Sequence, residues 1–63
     1  MANTGVKDND TGKYLTGWNV YGEAEFKKDV KMANRMMHNV AANVVRNLNS
    51  QCGKDRYTTI TLC

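Results

Sequence analysis

No proline interrupts the chain, and no low-complexity tract or repeat divides its 63 residues. Nothing marks a linker or boundary, so residues 1–63 are read as one small domain. There is also no apolar run long enough to span a bilayer, and "MANTGVKDND" has neither the basic start nor the apolar segment of a secretory signal. The expectation is a cytoplasmic protein with no membrane association.

Metal-binding and thiol chemistry have few residues to draw on: two cysteines, Cys52 and Cys63, and one histidine, His38. If the end of the chain is a straight strand, its residues at about 3.3 Å each carry Cys63 roughly 30 Å from Cys52, too far for a disulfide. His38 and Cys52 on one helix stand roughly 21 Å apart, which excludes a shared metal. Free thiols are expected, with an intermolecular bridge through Cys63 as the open alternative. Acids are missing altogether from Val30 to Lys54, so His38 lacks a local carboxylate to orient it for proton transfer. Glu23 and Glu25 alternate with apolar residues as solvent-facing strand positions do, without the contrasting environments that two catalytic carboxylates need. The five glycines are dispersed and match no phosphate-binding loop. No catalytic residue, metal site or cofactor is assigned, and the chain is read as a non-enzyme.

The residues present pattern into four segments. "VKDNDTGKYL" has the chemistry of a hairpin: Asx residues at 8, 9 and 10 bond the local backbone, and Gly12 takes the positive φ of a short loop. A short strand near Asn3–Lys7 precedes it. After it, Tyr14, Thr16, Trp18, Val20, Gly22, Ala24 and Phe26 share one parity, the period-two signal of a half-buried strand. A strand over 14–27 exceeds the usual length, so a bulge or bend is expected at Gly17 or Gly22. On this reading Trp18 is core, whereas Leu15, Tyr21 and Tyr57 lie on the open face of the sheet.

From 29 to 51 the periodicity turns helical. Asp29 suits the N-cap, and Val30, Ala33, Met37, Val40, Val44 and Leu48, with Ala41 beside them, form an apolar stripe flanked by Met36 and Val45. Gly53 stops the helix, and "DRYTTITLC" reads as a last strand. The expected fold is α+β in the order ββαβ: a β-hairpin, one long amphipathic helix and a final strand, with the helix on one face of a three-stranded sheet.

Charge is unevenly placed. Residues 1–29 sum to −1 and residues 30–63 to +4. On a 29–51 helix, Lys31, Arg35, His38, Asn39 and Arg46 fall on the face opposite the apolar stripe, where arginine and asparagine offer donors to an anionic partner. A chain this short buries only about 60% of its unfolded surface, so self-association is expected, through an open edge or the bare sheet face. The reading is a small binding module, adaptor or inhibitor, with a composition that suits a phage-type accessory protein. Lys31, Arg35 and Arg46 steer it to a larger protein partner, and Tyr21, Leu15 or Tyr57 anchor it. The alternative partner is nucleic acid, held by the same helix face.

Overall fold

A computed structural model describes residues 2–62. The chain is a small α+β domain: strands β1 (Thr4–Asp8), β2 (Lys13–Trp18) and β3 (Ala24–Lys27), a 3-10 turn (Val30–Met32), helix α1 (His38–Cys52) and strand β4 (Tyr57–Thr61). The sheet is antiparallel and has four strands, not three, in the order β3-β2-β1-β4. The first hairpin forms as its local chemistry dictates. The Asp10 N–H donates to Asp8 Oδ1 at 3.0 Å, the Gly12 N–H donates to the Asp8 carbonyl at 2.8 Å, and Gly12 has φ 73°.

The fourth strand arises because residues 14–27 do not run on as a single strand. Asn19 reverses the chain: its side-chain Oδ1 accepts the N–H groups of Tyr21 and Glu23 at 2.9 and 3.0 Å, and Gly22 takes φ 79° between them. A side chain that satisfies two turn amides holds the backbone as a second chain segment would. Gly17 supplies the irregularity expected of it. Leu15 pairs with Phe26 but Gly17 pairs with Glu25, so one extra residue is inserted at Thr16. An inserted residue switches the facing of everything beyond it. Leu15 therefore shares the helix-side face with Trp18, Ala24 and Phe26, and is fully buried rather than on the open face. Tyr14 points the other way.

The helix begins nine residues later than its apolar periodicity suggests. Asp29 does cap, accepting the Lys31 N–H at 3.0 Å, but what it caps is the single 3-10 turn. The chain then extends because β1 and β2 pair only at Lys7–Tyr14 and Asp8–Lys13 and splay apart beyond. Residues 34–36 fill the gap: Thr4 and Met36 exchange two backbone bonds of 3.0 and 2.9 Å, and the Asn34 N–H donates to the Leu15 carbonyl at 2.8 Å. Helix through this segment would leave those buried backbone groups without partners, a larger loss than propensity repays. Met36, expected only to flank the stripe, is consequently core. α1 ends at Gly53, whose N–H donates to the Asn49 carbonyl, and lies against β1 and β4.

The core joins Val6, Leu15, Met36 and Ala41, with Ala24, Phe26, Val44, Val45, Leu48 and Tyr57 packed around it. Tyr57 belongs to this helix-side layer, not the open face: its ring stacks on Phe26 with centroids 5.5 Å apart. The buried face of α1 centres on Ala41, which leaves Met37 and Val40 about half exposed. At the far end, Asp8 and Asp10 bind the loop before β4. Arg56 Nε and Nη2 donate to the two Asp8 carboxylate oxygens at 2.9 and 2.7 Å, and Lys54 pairs with Asp10 at 2.8 Å.

Candidate binding surfaces

Because α1 covers β1 and β4, the helix-side face of the β2–β3 hairpin stays partly open. A groove of about 460 Å³ lies there, between Val44, Asn47, Leu48 and Gln51 on α1 and Trp18, Gly22, Glu23 and Ala24 on the hairpin. The helix residues recur at three- and four-residue spacing, so one face of α1 forms one wall. Trp18, expected as core, faces this side as its parity indicates but remains 47% exposed. The groove has an apolar floor (Trp18, Ala24, Val44, Leu48), amide groups on Asn47 and Gln51, and a single charge, Glu23. Beside it projects the hairpin tip, with Val20 93% and Tyr21 83% exposed.

The opposite face of the sheet is basic. Cross-strand partners share a face, and the register places Lys27, Tyr14, Lys7 and Thr58 in one row across all four strands. The Lys7 ammonium lies 5.9 Å from the Tyr14 ring centroid. Among the described residues neither Lys7 nor Lys27 has an ion-pair partner. Arg35, next to the inward-facing Met36, alternates onto this face and donates to the Leu62 carbonyl at 3.4 Å. Glu25 is the acid on this side of β3.

The candidate residues do not share a surface, and Leu15 is buried in the core. Lys31 sits in the 3-10 turn, Arg35 in the inserted segment, and His38 at the first position of α1. Asn39 and Arg46, seven residues apart, do share a face of α1 and are exposed. Tyr21 is at the hairpin tip, and Tyr57 is half-buried against Phe26. The single cationic helix face required Lys31 and Arg35 to be helical, and they are not. Trp18, Ala24, Val44 and Leu48 of the groove were legible only as apolar positions, since periodicity reports which side chains share a side and not how completely that side is covered.

Perturbed ionisation belongs to the structural cluster. The Arg56 guanidinium, bound to both oxygens of Asp8, holds that carboxyl down at about 2, with the Asp10 amide assisting. The same bond raises Arg56, and Asp10 raises Lys54. No group of three or more metal-ligating side chains converges among the described residues. Cys52 is an exposed free thiol, while Cys63 lies outside the described residues, and with it the question of its pairing. No helix of the described residues is long and apolar enough to cross a membrane. Comparison with protein-family models, with curated proteins and with solved structures returns no match.

Proposed function

We propose that this chain is a small non-enzymatic binding module that works by protein–protein interaction in the cytoplasm, as an adaptor or inhibitor. The observation that carries the reading is the half-exposed Trp18 flooring an apolar groove beside the projecting Tyr21. Large aromatic side chains at the centre of a concave patch are the usual anchors of binding energy. The partner inserts an apolar side chain between Trp18 and Leu48, the Asn47 and Gln51 amides bond its backbone, and Glu23 favours a neighbouring cation.

Trp18 is the only tryptophan and therefore reports its own occupancy. Peptides selected from a random library against the protein are expected to carry an apolar anchor flanked by Lys or Arg and to shift Trp18 emission to the blue. Val44→Asp or Tyr21→Asp should weaken them by about 30-fold, the loss of roughly 2 kcal/mol expected at an anchor. Selected peptides that leave Trp18 emission unchanged, or bind both variants like the parent, would refute the groove assignment.

Nucleic-acid binding is the second reading, and the Lys27–Tyr14–Lys7 row favours the sheet face for it over α1. An aromatic ring between two phosphate-binding cations suits a single strand. With three phosphate contacts, from Lys7, Lys27 and Arg35, the affinity should fall with a log–log salt slope of about −2. Oligonucleotide anisotropy checks this: Tyr14→Ala and Lys7→Glu must weaken binding, and binding that survives both excludes the sheet face.

A further inference from the structure

The sheet has two outer strands, and they are finished differently. β3 spans only Ala24–Lys27, opposes a bulge, and carries Glu25 and Lys27 with Lys28 adjoining. Short, irregular and charged edges resist pairing with another chain. β4 is the reverse. Thr58, Thr59, Ile60 and Thr61 are all β-branched and uncharged, and β4 pairs with β1 through five consecutive residues without a register shift.

Hydrogen-bond parity identifies which groups of β4 face outward. The Leu62 N–H donates to the Asn3 carbonyl and the Arg56 carbonyl accepts from the Asn9 N–H. Even-numbered residues thus bond β1, while Tyr57, Thr59 and Thr61 turn their N–H and carbonyl groups away from it. At Tyr57 that outward pair is already occupied by one side chain. Asn49 Oδ1 accepts the Tyr57 N–H at 2.8 Å, and Asn49 Nδ2 donates to the Tyr57 carbonyl at 3.2 Å. Among the described residues no such cover reaches Thr59 and Thr61, apart from a 3.5 Å contact of Thr58 Oγ1 with the Thr59 carbonyl.

We propose that this open stretch of β4 pairs with the same stretch of a second copy, antiparallel about a two-fold axis at Ile60. The occupant follows from self-complementarity: a two-fold there sets Thr59 opposite the partner's Thr61 twice over. Each such pair exchanges two N–H···O bonds, and no like charges meet. Ile60 meets the partner's Ile60 on the face away from α1, covering side chains that are half-buried in one chain. Centring the axis on Thr59 instead would set the occupied Tyr57 groups opposite the partner's Thr61. The resulting eight-stranded sheet ends on both sides in the charged β3 edge, so pairing stops at two chains. The inference goes beyond the groove reading and does not depend on it, because the groove lies across the sheet from β4.

Sedimentation equilibrium of the full chain with reductant present should give twice the 7.1 kDa of one chain as concentration rises. Amide exchange should then slow at Thr59 and Thr61 by about 10-fold or more, whereas the Tyr57 amide is protected at every concentration. Thr61→Pro deletes an outward N–H that β1 does not use, and should raise the dimer dissociation constant by about 10-fold or more. If the proline unfolds the monomer, Ile60→Lys sets like charges across the axis and must give the same weakening. Tyr21→Asp, at the exposed hairpin tip beside the groove, should leave the dimer intact. A chain that stays monomeric up to about 1 mM overturns the proposal. So does a dimer whose Thr59 and Thr61 amides exchange as fast as loop amides, or one that Tyr21→Asp abolishes.

Discussion

Replacing Asp8 by asparagine keeps the shape of the side chain and removes its charge, which isolates the electrostatic contribution of one contact between the first strand and the end of the chain. Asp8 is 3% exposed, and its two oxygens receive Nε and Nη2 of Arg56. Its carboxyl pKa is held at about 2 against an ordinary value of 3.8. That difference corresponds to about 2–3 kcal/mol of folding stability. For a domain of this length, such a loss lowers the melting temperature by about 10–20 °C. Arg56 retains the Tyr57 ring, 5.4 Å from its guanidinium carbon, so the variant is expected to fold. The pH dependence has a definite sign. A lowered carboxyl pKa contributes fully above the unfolded value, and the contribution disappears as pH falls from about 5 through 2. Urea unfolding of parent and Asp8→Asn should therefore differ most at pH 7 and converge near pH 2. A gap under about 0.5 kcal/mol at pH 7, or one that is unchanged at pH 2, would refute the assignment of this stability to the carboxylate.

Asn49→Ala removes acceptors or donors from the Arg56 N–H, the Tyr57 N–H and the Tyr57 carbonyl, and should cost about 2–3 kcal/mol in urea unfolding. Gly5→Ala would bring a methyl to 2.8 Å from Leu62 Cδ1; a loss of about 1–3 kcal/mol is expected, relieved in the double variant with Leu62→Ala. Leu15→Ala should destabilise by about 2–5 kcal/mol, whereas Tyr14→Ala, which faces away from the core, should cost clearly less. The reverse order in thermal melts would mean that the Thr16 insertion does not switch the facing of β2.

What could be read from the residues was whatever local chemistry decides. Asp8, Asp10 and Gly12 close the first hairpin by bonds within five residues, Gly53 ends the helix from its neighbour Asn49, and alternation found the final strand. The α+β class followed from these. What escaped depends on distant partners. Nothing near Met36 announces that Thr4 will bond it, yet that pair sets where α1 starts and scatters Lys31 and Arg35 away from Arg46. Nothing in the alternation of residues 14–27 distinguishes a long curved strand from two strands around Asn19. Tyr21 was legible as an exposed aromatic. Leu15 joined Trp18 on the helix-side face because one inserted residue, invisible in a period-two count, lies between them, and Trp18 stays half exposed because α1 covers β1 and β4 instead.

The placing of Thr4–Asp8 beside Tyr57–Thr61 carries a consequence for how the molecule comes into being. β1 is made before β2, β3 and α1, and its most extensive partner, β4, is made after all of them, so the sheet cannot close until β4 has emerged. Each nascent copy must hold one side of β1 unpaired while β2, β3 and α1 are made, and a chain cut before Tyr57 should leave no smaller folded product behind.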